Sequence, residues 1–545
     1  MKPLTSRTTR CLVGVVSVFL AFPIFAQNGG QLRFCIHSEP KIFNPIMVED
    51  DASETIRYLT GGVLVRLSRK TQQLEPELAT SWKLSKDGRT ISFKLRKDVF
   101  FSDGTPFTAD DVAFTMKRLM DPALHSPTGD SFRSGNGDVL TGITDPHSIV
   151  ITFPAPVASL DKLFDQVAIM SSRSPLREKA VLGPFVVADY KPGAYVLLKR
   201  NNNYWKTDAT GRKLPYLDSV RLDIQQNRDL EILRFQRGEI QLINSLDSEY
   251  FDRLASQSRE AVYDAGASLD SEEMWFNQAP TSPIPDYKKQ WFQSTNFRRA
   301  ISTAINRDDI VRLVFNGHAT PALGPVSPAN HFWVDKKLAP HPFSPSEATR
   351  LLSQDGFHRD GDVLRDRAGH PVEFSIVTNA GNRQRERMAA LIQQDLANIG
   401  IKLTIVTLDF PSLIDRITRS FNYDACLLGL TNTDIDPNGQ MNIWLSSAEN
   451  HQWNPNQKQP ATAWEAEIDR LMKVQATSMD MRKRKESFDR VQEIVRDQEP
   501  FIYLVNKNSL AAVSNVVYGA DPVALRPQTY WEPDRISLAV GRAAK

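Results

Sequence analysis

TISFKLRKDVFFSDGTPFTADDVAFTMKRL, residues Thr90–Leu119, is the stretch whose reading decides the fold. Ile91, Phe93 and Leu95 alternate with Ser92, Lys94 and Arg96, the period-two pattern of a half-buried strand. Trp82 and Leu84 alternate in the same way just upstream. Lys86-Asp87-Gly88-Arg89 lies between the two runs, and Asp-Gly tolerates positive φ at both centres of a type I′ turn. The two runs therefore predict a β-hairpin. Ser102-Asp103-Gly104-Thr105-Pro106 makes a second turn. Thr108 and Asp111 then form a Thr-x-x-Asp pattern close to a capping box. Val112, Thr115, Met116 and Leu119 fall on one face of the helix that follows. A hairpin, a turn and a capped helix predict a globular α/β chain and leave its activity open.

Working outward, Lys2, Arg7 and Arg10 precede an apolar run, Cys11 to Phe25, and Ala26 then meets Gln27. A basic start, a short apolar run and a small residue at the cut predict a secretory signal peptide over residues 1–26. The run falls short of the ~20 apolar residues that a membrane span needs. Neither Cys11 nor Cys35 has the context of a lipid-acceptor cysteine, so the mature chain is expected to be soluble outside the cytoplasm. The 545 residues of the full chain exceed one ordinary core. The formal charge of +2 becomes −1 when the three basic residues of the leader depart. That balance leaves no electrostatic footprint for nucleic acid or an anionic membrane. Cys35 and Cys426 remain, both in apolar strand-like runs, and read as small buried hydrophobes.

Downstream, Gln31–Ile36 reads as a strand and 53–60 as a helix ending at Gly61-Gly62. Residues 121–142 read as a long loop and 143–153 as one strand. Two strands flank the Lys191-Pro192-Gly193 turn. Strand, helix and strand over 219–246 suggest a parallel βαβ unit. Met274-Trp275-Phe276-Asn277 reads as a strand crossing into a second lobe. The spacing predicts helices over 296–305 and 387–399, strands over 374–377, 401–406 and 424–429, and helices over 464–475 and 481–496. Phe501-Ile502-Tyr503-Leu504 reads as a strand crossing back.

Enzyme patterns are absent from the sequence: there is no Gly-x-Ser-x-Gly, no His-Glu-x-x-His and no P-loop. The nine histidines are scattered, with no pair at i, i+4 to suggest zinc. Asp110-Asp111 and Asp308-Asp309 sit at predicted helix starts, where the helix dipole favours acids. Glu49-Asp50-Asp51 has two readings, a cluster at a helix N-terminus and a holder of a cationic ligand group.

The string from Leu74 to Leu119, LEPELATSWKLSKDGRTISFKLRKDVFFSDGTPFTADDVAFTMKRL, resembles the signature region of the solute-binding proteins of ABC importers, family 5, the dipeptide, oligopeptide and nickel type. GPFVVADYKPGAYVLLKRNNNYW (Gly183–Trp205), the helix from Asn296, IQQDLANIGIKLTIV (Ile392–Val406) and Phe501–Leu504 carry the resemblance along nearly the whole chain. It implies an α/β, two-lobed periplasmic binding protein of type II-like architecture with a two-crossover hinge. One lobe would hold about 27–274 with 501–545, including an extra α/β subdomain near 53–180, and the other about 275–500. It further implies a periplasmic monomer that captures a peptide or peptide-like solute between the lobes and hands it to an ABC permease, without a cofactor and without catalysis. A ligand sensor or chaperone-like protein for a non-peptide solute is the alternative; a secreted enzyme is a third.

In the family's peptide binders an aspartate near the end of a Gly-to-Pro string takes the ligand's α-ammonium. Here that string runs from Gly429 to Pro437. The aspartate's place holds Thr433, with Asp434 adjacent, and the family's Trp is Leu430; Thr431 and Asn432 complete the loop. The arginine that takes the ligand's carboxylate is matched by Asn379. Asn379 hydrogen-bonds but does not pair bidentately with a carboxylate. Free dipeptides are therefore expected to bind weakly.

Overall fold

The computed structural model describes residues 26–27, 29–132, 137–174, 179–339, 342–431 and 434–539. The signal peptide expected over 1–26 lies, but for Ala26, outside them.

The main sheet starts with β1 (Gln31–Ile36). Asp50 then caps α1 (Asp51–Thr60), accepting from the Ser53 amide at 2.9 Å. Of the acid run 49–51, Asp50 thus serves the helix end, where an unpaired amide needs an acceptor. The hairpin read from sequence is β2 (Ala79–Leu84) with β3 (Thr90–Leu95). Its turn differs from type I′: among the described residues of the connection only Gly88 has positive φ, at 69°. The five residues 85–89 close instead through the Ser85 amide on the Thr90 carbonyl at 2.8 Å and the Gly88 amide on the Ser85 carbonyl at 3.1 Å, a longer loop with a single left-handed residue. Ile91, Phe93 and Leu95 point inward and are buried. α2 (Ala109–Leu119) follows with its capping box formed, Asp111 accepting from the Thr108 amide at 2.7 Å. Val112, Thr115, Met116 and Leu119 are its buried face.

The long loop expected over 121–142 contains two short helical turns, Pro122–Leu124 and Pro127–Asp130. The single strand expected over 143–153 is a hairpin, β4 (Leu140–Asp145) and β5 (Ser148–Thr152). Every residue of β4 is exposed, so no inward face announces it in the sequence. β2, β3, β5 and β4, in that order, form a four-stranded antiparallel sheet covered by α2, the subdomain of the first lobe.

The chain continues through β6 (Phe185–Lys191), β7 (Tyr195–Arg200), β8 (Ser219–Ile224), α3 (Arg228–Gln236), β9 (Leu242–Ile243), β10 (Val262–Phe276), β11 (Ala319–Pro321), β12 (Glu373–Asn379), α4 (Arg383–Asn398), β13 (Lys402–Leu408), β14 (Ala425–Leu430), α5 (Ala463–Thr477), α6 (Met481–Gln498) and β15 (Phe501–Val513). The main sheet has the order β13-β12-β14-β10-β15-β9-β1-β8-β7-β6, with β11 beside β15. β8 and β9 both lie parallel to β1, as the βαβ reading requires. Lobe I is built on β1 and β6–β9, and lobe II on β12–β14. The strands read as four-residue crossings are far longer. β10 and β15 pair from Val262 opposite Ala512 to Trp275 opposite Phe501 and run through both lobes. Their register shifts between Asp264 and Ala267 and between Ala267 and Ser271, where the ribbon bends.

Cys35, on β1, and Cys426, on β14, are free, buried and in different lobes. Tyr204 is buried and donates its hydroxyl to Asp534 at 2.9 Å. Among the described residues no helix is long and apolar enough to cross a membrane.

Candidate functional site

β12, β13 and β14 are parallel, so their C-terminal ends share one edge of lobe II. Ser271 of β10 pairs with Leu430, the last residue of β14, so the crossing strands leave for lobe I from that same edge. Ligand clefts in open α/β sheets form outside such strand ends. Asn379 and Leu430, both expected at the site, are the terminal residues of β12 and β14.

The structure brings Arg385 to Asn379, because the helix expected over 387–399 starts earlier. The helix begins at Arg383, because Asn382 caps it by accepting from the Arg385 amide at 3.0 Å. Arg385 therefore sits in the first turn and donates to the Asn379 side-chain carbonyl at 2.9 Å. The same guanidinium holds the Glu272 carboxylate of β10, with N–O distances of 2.7 and 3.3 Å. The Lys507 ammonium of β15 lies 3.1 Å from that carboxylate. A Cβ on Gly429 would stand 2.7 Å from Arg385 Nη2 and 2.9 Å from Glu272 Cδ, so only glycine admits this pair. Burial raises the Glu272 carboxyl, but the Lys507 and Arg385 charges outweigh it and hold the group below the usual carboxylate range.

Beyond Leu430 the loop exposes Thr431. Asn432 and Thr433, also expected at the site, lie outside the described residues. Asp434 is half-buried and accepts from the Asp436 amide at 2.8 Å. Burial and the neighbouring Asp436 charge push its carboxyl up to about 6. Asp436 is paired with Arg484 of α6 at 2.6 Å, both side chains almost fully buried. Burial raises Asp436 too, but Arg484, with Lys162, holds it below its ordinary value.

Lobe I meets this edge in two places. Lys162 Nζ lies 3.6 Å from Asp436 Oδ2, and the Ser159 hydroxyl accepts from Arg484. Asn438 donates to the Ala158 carbonyl at 3.1 Å, and the Ala158 amide donates to the Ala476 carbonyl at 3.2 Å. Further along, Gln72 donates to the Ala329 carbonyl at 2.6 Å and accepts from the His331 amide at 3.2 Å. The two lobes are thus engaged over the strand ends. Lys507, Lys162 and Arg484 escaped sequence reading, and the Gly381-Asn382 cap signal could have moved the start of the helix expected from 387 and flagged Arg385. Among the described residues no group of three or more His, Cys, Asp or Glu side chains converges as a metal site.

The model of the bacterial extracellular solute-binding proteins, family 5, middle region, matches residues 73–452. A probable ABC transporter-binding protein of Deinococcus radiodurans is 27% identical over 74% of this chain and 74% of its own length. The oligopeptide-binding protein AppA of Bacillus subtilis is 25% identical over 90% of this chain and 89% of its own. Among solved structures, the ABC transporter substrate-binding protein CtaP of Listeria monocytogenes superposes with a TM-score of 0.78 at 22% identity, covering 94% of this chain and all of that one.

Proposed function

The chain belongs to the bacterial extracellular solute-binding proteins of family 5, and we propose that it captures a peptide or peptide-like solute between its lobes and delivers it to an ABC transporter permease. The observation that carries the proposal is the engagement of lobe I with the strand-end edge of lobe II through Gln72, Ser159 and Lys162. A solute on that edge touches both lobes and so favours the closed arrangement by its differential contacts. The peptide class is supported by the likeness to an oligopeptide-binding protein along nine-tenths of this chain. Asn379, Leu430, Thr431, Asn432, Thr433 and Asp434 are the proposed ligand-facing residues. β10 and β15 act as the hinge, with lobe I over about 27–274 and 501–545 and lobe II over about 275–500.

The proposal includes export, with cleavage near Ala26 into the periplasm, and a monomer that binds without catalysing. Native mass spectrometry of the protein as purified tests it. Release of peptides on denaturation is expected; a non-peptide solute in their place, or turnover of a bound peptide, overturns the reading.

A further inference from the structure

Asp434 and Asp436 place two carboxylates in one loop at the mouth of the cleft. Lobe II supplies one cation, Arg484, whose guanidinium takes Asp436 at 2.6 Å. The second comes from the other lobe: Lys162 Nζ stands 3.6 Å from the same carboxylate. Both cations face one aromatic ring. Trp333, fully buried, has the Arg484 guanidinium carbon 5.0 Å and Lys162 Nζ 6.0 Å from its ring centroid, within reach of cation–π attraction. The nearby acids of lobe I are occupied, Asp165 by Arg69 at 3.0 Å and Asp161 by the Trp82 indole at 3.2 Å. In the engaged arrangement both cations meet Asp436, and the Lys162 charge also reaches Asp434. Separation of the lobes withdraws Lys162 and leaves one acid without its match.

The backbone that carries Lys162 is itself held in an unusual state. Ser159 has φ of 55° and Gln72, at the other contact between the lobes, has φ of 59°, left-handed conformations that residues with a Cβ seldom adopt. Both side chains spend their hydrogen bonds on lobe II. Such conformations persist where surrounding contacts over-determine them.

We infer that Lys162 is a specificity-determining residue of the cleft: lobe I brings its own ammonium to the Asp434–Asp436 pair, so the closed site takes a solute whose group at Asp434 is uncharged. A third cation in a half-buried cluster already balanced would add repulsion in a low-dielectric site, whereas a neutral N–H or O–H donor meets an open acceptor. The specificity part rests on the peptide reading of the cleft; the counter-ion part does not.

The test uses two peptides of one sequence, with free or acetylated amino termini, titrated by calorimetry into the wild type, Lys162→Met and Lys162→Arg. The wild type and Lys162→Arg should favour the acetylated peptide. Lys162→Met should move the ratio about tenfold toward the free amine; the same ratio in the wild type and Lys162→Met overturns the inference. If no protein binds either peptide, the peptide reading falls, and small-angle scattering of the solute-free proteins still decides the counter-ion role. There Lys162→Met should have a larger radius of gyration than the wild type, and an unchanged radius overturns that role.

Discussion

Glu272 and Glu273 are consecutive residues of β10, both essentially inaccessible to solvent, with opposite fates. Successive side chains of a strand point to opposite faces. Glu272 faces α4 and meets Arg385 and Lys507. Glu273 takes the face of Trp275, between Leu428 and Tyr503 in the register, and among the described residues neither of its carboxyl oxygens has a hydrogen-bond partner. Burial pushes the Glu273 carboxyl well above the ordinary carboxylate value, and the Glu272 charge adds to that. Depth is equal in the two cases, so the partner decides the charge: an acid beside two cations stays ionised, and one among Trp275, Cys426 and Tyr503 is kept neutral. Both faces belong to a strand that crosses between the lobes, so the contrast lies in the hinge itself.

The comparison breaks most severely at Arg385. Arg385→Met leaves Glu272 buried with Lys507 alone, and removing one member of a buried pair destabilises by about 3 kcal/mol. Urea unfolding should show that loss, and the double variant Glu272→Gln with Arg385→Met should recover most of it. A double variant as unstable as the single one would mean that Arg385 contributes packing rather than charge.

The pH dependence should separate the two acids by sign. The folded pKa of Glu273 is raised, so its contribution is present below the unfolded value of about 4.3 and is lost as pH rises through the folded value. The folded pKa of Glu272 is lowered, so its contribution is present above about 4.3 and is lost as pH falls through the folded value. Relative to the wild type, Glu273→Gln should gain up to ~1.4 kcal/mol per pH unit just above pH ~4.3. Glu272→Gln should be less stable than the wild type by a constant amount above pH ~4.3, the difference shrinking as pH falls below that value. Urea midpoints taken between pH 4 and pH 7 are the measurement; parallel profiles for the two variants would remove the contrast.

What was legible in the sequence follows the range of the interactions. The β2–β3 hairpin and the capping box of α2 are settled within a few residues of each other, and both were readable. β4 was divided between a supposed loop and a single strand read over 143–153 because its residues show no inward alternation. β10 and β15 were cut to four residues each because polar residues such as Asp264, Asp270, Asn506 and Asn508 interrupt the apolar run where the ribbon bends between the lobes. Asn379 and Leu430 came from the family resemblance, and they stand at the ends of β12 and β14. Arg385 with Glu272, and Lys162 with Asp436, are pairs joined only by the tertiary fold. No local pattern announces which distant charge an acid will meet, so the loop was legible while its counter-ions were not.

The finest division of the contrast is between the two cations on Glu272. Arg385 is nearly enclosed, with 12% of its side chain exposed, and offers the acid two N–H groups; Lys507 offers one ammonium and is 34% exposed. Water competes for the lysine and screens its charge, so the same formal pairing is worth less. Lys507→Met should therefore destabilise by about 0.5–1 kcal/mol, well under the effect of Arg385→Met. It should also raise the pH at which the Glu272 contribution fails, because one of the two charges that depress its carboxyl is gone. Salt sharpens the same point: raising ionic strength screens an exposed charge more than an enclosed one. The wild type and Lys507→Met should then converge in stability at 1 M salt, while Arg385→Met stays apart. A Lys507→Met loss as large as that of Arg385→Met, and indifferent to salt, would place the weight of the pairing on β15 and reverse the ranking of the two cations.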